Sequence, residues 1–225
     1  YLGTFFVPGL VLIQICLLFR GQKKRRKKTA SAVAVLMVFI LSCTGCAGIE
    51  PEKRMYPLAM GVDVSEGEYI LTYAMPDLPR ATGQGKEEED GNQTLQVRGK
   101  SFEEIKSRYE RSQEKYLDIG HLQILILSQD LTETDMWKDF FEYLREEPLA
   151  GENIYVFQTQ EPEKLLGWKE GGTSVGEYIT GLMENRMDRE QKNGVTLRQV
   201  YYQWYQNGTL KKLPKITLSE DQIQV

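Results

Sequence analysis

An apolar segment that ends in a cysteine decides which part of this chain can fold as a domain. Residues 20–28 carry seven Lys and Arg side chains, and a mostly apolar segment follows them up to Thr44-Gly45-Cys46. A basic region, an apolar region and small residues before a cysteine are typical of a lipoprotein signal peptide. We therefore expect residues 20–45 to be this signal peptide and Cys46 to become the acylated first residue of an extracytoplasmic domain.

Two other interpretations of this segment stay open. Cys43, which follows Ile40-Leu41-Ser42, is the alternative acylation site. The segment could also remain as an uncleaved anchor, but its apolar part around 33–41 is shorter than the ~20 residues that a membrane-spanning helix needs. Cys46 is the favoured lipidation site because the small residues Thr44 and Gly45 precede it directly.

A second apolar segment lies at the start of the sequence. Residues 1–19 contain no charged side chain and are long enough to span a membrane, and the basic residues that follow favour the cytoplasmic side. We interpret residues 1–19 either as an additional anchor or as the in-frame remainder of an upstream membrane-protein gene.

Composition limits what the part after Cys46 can be. Counted from Cys46 to Val225 it is 180 residues long, and no cysteine follows Cys46, so it must be stabilised by core packing rather than by internal disulfides. It holds 21 basic and 32 acidic residues, a net charge of −11. That charge argues against nucleic acid as a partner and against electrostatic adhesion to anionic lipid, so acyl chains are the expected link to the membrane.

The first half of the region after Cys46 has the sequence pattern of β-strands. Residues 55–64 and 68–75 are apolar and rich in strand-forming residues, and Ser65-Glu66-Gly67 between them predicts the turn of a hairpin. Residues 94–97 alternate in polarity and predict a third strand. The polar and acidic residues 79–92 predict a loop between the second and third strands.

Helical and strand patterns then alternate. A Ser101–Glu104 capping box predicts a helix over 102–115, and the apolar residues 121–128 predict a buried strand. A second helix, capped by Thr132 or Thr134, is predicted to run to Glu146, and a strand is predicted over 153–158. The second helix has an apolar stripe made of Trp137, Phe140, Phe141 and Leu144. Two strands joined through a helix favour parallel pairing in a mixed sheet.

Two further capping boxes open the last helices. Ser174–Glu177 begins a helix that is expected to bury Tyr178, Ile179 and Leu182, and Thr196–Gln199 begins one that Asn207-Gly208 ends. The fold class that follows is α/β (α+β), a mixed β-sheet flanked by helices behind N-terminal hydrophobic and signal segments. Residues 213–216, Leu-Pro-Lys-Ile, are interpreted as the exit from this domain.

The last predicted helix contains four closely spaced aromatic residues. Helical periodicity places about two of them in the core, and the others are candidates for contact with a partner protein because aromatic side chains offer rigid contact area. They are Tyr201, Tyr202, Trp204 and Tyr205.

No residue set in the sequence predicts catalysis, a metal site or a cofactor. His121 is the single histidine, and we expect it to be a structural residue at the start of a buried strand, without a second histidine or a thiol to complete a zinc site. Residues 172–176, Gly-Thr-Ser-Val-Gly, match the letters of a GxSxG motif, but Ser174 also opens a helix capping box, and we expect no nucleophile there. Residues 87–90 are consecutive acids without the spacing of a calcium loop, and Gly83-Gln84-Gly85 is too sparse for phosphate binding.

An ordered set of short motifs resembles a known family. Cys46, Gly61-Val62-Asp63, Gly120-His121-Leu122 and Leu213-Pro214 occur in the order found in the N-terminal region of Ger(x)C, or GerAC-type, spore germination lipoproteins. The resemblance covers roughly residues 40–217. Ala47-Gly48 stands where the family has Trp-Asp after the cysteine.

The resemblance implies a function and a location. Such a protein is a non-catalytic lipoprotein subunit of a nutrient germinant receptor and is needed for spore germination. It is expected on the extracytoplasmic face of the cell or spore inner membrane, held by a diacylglyceryl and palmitate-type acyl anchor beside the A-type and permease-like B-type receptor subunits. Residues 46–217 would be the germination-protein N-terminal domain, and residues 218–225 the start of a following domain.

A solute-binding lipoprotein of the extracytoplasmic space is the alternative function. Such proteins bind their ligand between two lobes. The 180 residues after Cys46, with a single alternating segment, are too few for a typical protein of this kind.

Overall fold

The strand and helix patterns that alternate along the sequence form a central sheet with helices on both faces. The computed structural model describes residues 50–76, 94–168, 173–185, 194–220 and 222–225. The strands are β1 Arg54–Met55, β2 Ala59–Ser65, β3 Glu68–Ala74, β4 Thr94–Gly99, β5 Tyr116–Leu117, β6 Ile124–Ser128, β7 Tyr155–Thr159, β8 Thr217–Ser219 and β9 Gln222–Gln224. The helices are α1 Phe102–Ser112, α2 Gln129–Glu133, α3 Met136–Glu146, α4 Pro162–Leu166, α5 Val175–Asn185 and α6 Leu197–Asn207.

The central sheet is mixed, as the sequence predicts. Its order is β4-β3-β2-β6-β7, with β4, β3 and β2 antiparallel and with β2, β6 and β7 parallel. The predicted hairpin and third strand are confirmed, although β2 begins at Ala59 rather than at residue 55. The predicted α+β class, a mixed sheet flanked by helices, is therefore correct.

The turn between β2 and β3 explains the register of the hairpin. Glu66 has φ of 53° and Gly67 has φ of 77°, and Ser65 pairs with Glu68 across the turn. Two consecutive residues with positive φ give a turn whose twist matches that of the flanking strands. Gly67 adopts this conformation without the steric cost that a side chain would add.

Strand β6 lies in the middle of the domain and is buried on both faces. Its side chains alternate between two apolar clusters: Leu125 and Leu127 join the first, while Ile124 and Ile126 join the second. This double burial explains why the sequence here is continuously apolar rather than alternating.

Each face of the sheet has its own set of helices. The first cluster packs α1, α3 and α6 against the sheet and includes the predicted stripe of α3, all of whose members are buried: Trp137, Phe140, Phe141 and Leu144. The second cluster packs α4, α5 and the β8–β9 hairpin against the opposite face. Small residues on that side of β2, Ala59 and Gly61, leave room for α4.

Several predicted boundaries are wrong for identifiable reasons. Helix α1 ends at Ser112 rather than at residue 115, because the Tyr109 hydroxyl donates to Lys115 O at 2.9 Å and holds the chain in an extended turn. Ser128 caps the unpredicted helix α2 by accepting from Leu131 N at 3.0 Å. The N-cap of α3 is Asp135, so neither predicted cap, Thr132 nor Thr134, is correct, although Thr134 Oγ1 accepts from Met136 N at 3.3 Å just before the helix.

The two later helices follow their capping boxes, with one shift in the buried face. Ser174 Oγ accepts from Glu177 N, and Glu177 Oε2 accepts from Ser174 N, both at 3.3 Å. Helix α5 buries Val175, Ile179 and Met183, whereas Tyr178 and Leu182 are only partly buried. Helix α6 ends as predicted at Gly208, whose φ of 69° is left-handed.

The segment 213–216 adds to the edge of the sheet. Gln158 N donates to Pro214 O at 2.9 Å, and Ile216 N donates back to Gln158 O at 2.9 Å, in a parallel bridge beside β7. Ile216 is fully buried in the second cluster, and Ile223 of β9 packs there as well. Where the domain ends stays a prediction.

Candidate functional site

Helix α6 presents an exposed aromatic surface beside the C-terminal half of α3. Tyr202 is 69% exposed and Tyr205 is 58% exposed, whereas Tyr201 is buried and Trp204 is partly buried. This division agrees with the prediction that about two of the four aromatic residues belong to the core. We use the name aromatic patch for Tyr202, Trp204, Tyr205 and Arg145.

Three members of the patch, Trp204, Tyr205 and Arg145, are held in place by contacts with one another and with the core. The Trp204 and Tyr205 rings stack with centroids 5.4 Å apart, and Trp204 meets Trp137 edge-on at 5.4 Å. Arg145 Nη1 donates to Tyr205 Oη at 3.0 Å. A side chain fixed in this way loses little conformational freedom when it binds, so the patch is suited to protein contact.

The pKa values of two side chains in this region are raised. Burial raises the pKa of the Tyr201 phenol, and the hydrogen bond with Tyr205 raises the pKa of Arg145. Tyr201 therefore stays neutral and Arg145 stays charged at neutral pH. Tyr, Trp and Arg are also the side chains most often found at the energetic centres of protein interfaces.

The Gly120-His121-Leu122 motif lies on a turn that a partly buried ion pair supports. Arg54 Nη1 lies 2.6 Å from Asp118 Oδ2, and Asp118 Oδ1 accepts from Gly120 N at 3.0 Å. Burial raises the pKa of Asp118, but the hydrogen bonds from Arg54 and Gly120 outweigh burial and hold it below its usual range. A side chain at residue 120 would meet Asp118 Oδ1 at 3.0 Å, which accounts for the glycine.

The predicted position of His121 is wrong. His121 lies in a short 3₁₀ turn over Ile119–His121, three residues before β6, and its side chain is exposed. Its ring meets the Tyr56 ring edge-on at a centroid distance of 4.9 Å. The buried residue of the motif is Leu122, because the turn places His121 on the surface.

The other predicted residues divide between the core and undescribed parts of the chain. Gly61 lies in β2 against α4, and Asp63 Oδ1 accepts from Val64 N at 2.8 Å. Cys46 and Cys43, the segments 1–19 and 20–45, and the whole of the predicted acidic loop 79–92 lie outside the described residues. The structure therefore leaves the lipidation prediction untested.

The described residues contain neither a metal-binding cluster nor a spanning helix. Within these residues, no three His, Cys, Asp or Glu side chains are placed to share a metal ion. In the same part of the chain, no helix combines the length and apolarity that crossing a membrane requires.

The described residues form an α+β domain that exposes Tyr202 and Tyr205 of α6 on its surface. The family model for the spore germination protein N-terminal domain matches residues 48–218, more than half of the chain. The chain therefore belongs to the GerAC-type spore germination family, as the sequence motifs predict. No curated protein and no solved structure matches it.

Sequence patterns could not have identified two of the residues that shape these sites. Arg145 reaches Tyr205 across 60 positions, and Arg54 reaches Asp118 across 64. Neither arginine stands out locally, since each is one charged residue in a polar stretch. The cluster of aromatic residues in α6 was the one sequence pattern that indicated the aromatic patch.

Proposed function

We propose that this chain is a non-catalytic, membrane-anchored lipoprotein subunit of a nutrient germinant receptor. Its membership of a spore germination family supports the germination role. The aromatic patch is the observation that carries the finer proposal, because a fixed and exposed set of Tyr, Trp and Arg side chains favours permanent contact with another protein. The A-type and permease-like B-type receptor subunits are the proposed partners.

The anchor is proposed at Cys46. A lipid on this residue would hold the domain close to the membrane, with Glu50 and the folded region only a few residues away. We expect Cys46→Ala to abolish labelling by a fatty-acid probe and to leave an unprocessed precursor, whereas Cys43→Ala should label normally. Labelling that survives Cys46→Ala and disappears with Cys43→Ala would move the lipid to Cys43.

Photo-crosslinking tests the contact surface directly. A photoreactive phenylalanine at Tyr202 in spores should crosslink to a receptor subunit, identified by mass spectrometry. The matched control is the same replacement at Tyr116, which is 55% exposed but lies in β5 outside the aromatic patch. Crosslinks to a receptor subunit from position 202 and not from position 116 would support the proposal. Equal yields at both positions, or none to a receptor subunit, would contradict it.

A further inference from the structure

A second site lies on the same face of the sheet as α1 and α3 and is separate from the aromatic patch. A solvent-accessible cavity of about 540 Å³ opens between α1, the segment that follows it, and the C-terminal end of α3. Cavities of this size are typical of small-molecule sites. We use the name tyrosine cavity for it, because four tyrosines line it with apolar side chains between them: Tyr73, Tyr109, Tyr116 and Tyr143.

Tyr73 provides an unused polar group in this cavity. It is 3% exposed, and within the described part of the chain its hydroxyl has no hydrogen-bond partner. The three other buried tyrosines on this face are satisfied: Tyr69 donates to Met136 O at 3.1 Å, Tyr109 donates to Lys115 O at 2.9 Å, and Tyr201 donates to Phe141 O at 3.3 Å. A buried hydroxyl without a partner is costly, so Tyr73 indicates a place that a polar ligand group can occupy.

Glu147 supplies the charge of the site. It caps the C-terminus of α3, is half-buried, and lies beside the Tyr143 hydroxyl, whose pKa is raised first by burial and then by this carboxylate. Among the described residues it has no ion-pair partner. Both a helix C-terminus and the faces of tyrosine rings also favour a positive charge.

The other residues that line the cavity determine what the uncharged part of the ligand can be. Ile105, Leu117 and Ile119 give an apolar surface next to the tyrosines. The other four charged side chains that line the cavity are exposed at its rim: Lys106, Glu110, Glu114 and Lys115. Solvent screens these two acidic and two basic groups, and their opposite charges nearly cancel. Glu147 therefore decides the preferred charge.

We propose that the tyrosine cavity binds a small organic ammonium compound with an apolar body. The ammonium group donates to the Glu147 carboxylate and to the Tyr73 hydroxyl oxygen, and the apolar body packs on Ile105 and Ile119. This site goes beyond the proposed receptor function and does not depend on it.

Three probes that share one phenyl body test the charge preference. Phenethylamine, 2-phenylethanol and 3-phenylpropionate are titrated by calorimetry into the full chain in mild detergent, with detergent alone as the blank. Phenethylamine should bind at least about tenfold more tightly than the other two, because a charge-assisted hydrogen bond contributes more than about 1.4 kcal/mol. Absence of phenethylamine binding, or equal affinity for all three probes, would overturn the proposal.

Variants of adjacent residues locate the site. Glu147→Gln should weaken phenethylamine binding about tenfold or more, and Tyr73→Phe should weaken it by a smaller factor. Glu146→Gln is the matched control, since Glu146 is exposed and lies outside the cavity, and it should bind like the parent chain. Melting temperatures show that each variant is folded. Equal losses in Glu147→Gln and Glu146→Gln would refute the site. None of these readouts involves germination, so a negative result leaves the proposed function standing.

Discussion

Gly61 allows helix α4 to pack directly on strand β2, and its replacement tests how closely the two elements fit. A Cβ atom at residue 61 would lie 2.7 Å from Leu166 Cδ1 and 3.1 Å from Pro162 Cβ. Leu166 is fully buried, and the proline ring at the start of α4 cannot rotate away. One of the two elements must therefore shift.

The cost of Gly61→Ala follows from two opposing effects. Overpacking a core typically costs about 1–3 kcal/mol, and the lower entropy of the unfolded chain returns about 0.4–1 kcal/mol. We expect a net loss of about 1–2 kcal/mol, which lowers the melting temperature of a domain of this size by about 2–8 °C.

Tryptophan fluorescence of the full chain in mild detergent measures this loss. All three tryptophans, Trp137, Trp168 and Trp204, lie in the described domain. Gly151→Ala is the control, because a side chain there meets nothing within 4 Å. Its melting temperature should stay within about 2 °C of the parent, since it lacks the overpacking that residue 61 would suffer.

A double-mutant cycle separates the steric effect from a general loss of stability. Leu166→Ala alone should destabilise by about 2–5 kcal/mol, but by less in the Gly61→Ala background, where the new methyl group fills part of the space. A Gly61→Ala variant as stable as Gly151→Ala, or strictly additive losses in the cycle, would refute the close packing of α4 on β2.

Three further predictions concern stability and the surface motif. Gly181→Ala in α5 should raise the free energy of unfolding by about 0.5–1 kcal/mol, because residue 181 has open space around it and alanine favours the helix. Unchanged or reduced stability in urea denaturation would contradict this prediction. Asp118→Asn should cost about 1–3 kcal/mol at neutral pH. Because the folded-state pKa of Asp118 is lowered, its contribution is present above its unfolded pKa of about 4 and is lost as the pH falls through the lower folded value. The difference in melting temperature between the variant and the parent should therefore shrink as the pH is lowered below about 4. A constant difference would contradict the assignment. His121→Gln should lower the free energy of unfolding by less than about 1 kcal/mol and leave nutrient germination normal, since His121 is exposed. A variant that its melting temperature shows to be folded, but that does not germinate, would overturn this prediction.

The parts of the fold that could be predicted are those that local patterns determine. The hairpin follows from Ser65-Glu66-Gly67, the interior position of β6 from its apolar run, and the end of α6 from Gly208. The capping boxes located the starts of α1, α5 and α6. Each of these signals lies within a few residues of the structure that it specifies.

The remaining features depend on contacts that the sequence does not display. The β1–β5 pair joins Arg54 to Tyr116, and the Arg54–Asp118 ion pair lies beside it. The exposed position of His121 follows from the turn that this pair supports. The tyrosine cavity likewise brings Tyr73 of β3 next to Tyr143 and Glu147 at the end of α3, so neither its shape nor its charge could be predicted before the packing was known.

Nutrient-induced germination tests the proposed receptor role most directly. Loss of spore refractility is followed with each nutrient in turn for the parent strain, a strain lacking this chain, and strains complemented with the parent gene or with Cys46→Ala. The account predicts that the deletion abolishes the response to the cognate nutrient, that the parent gene restores it, and that Cys46→Ala restores it poorly. Growth, sporulation and germination by a stimulus that bypasses receptors should be normal. Normal responses to every nutrient in the deletion strain, with partner subunits unchanged by immunoblot, would contradict the receptor role.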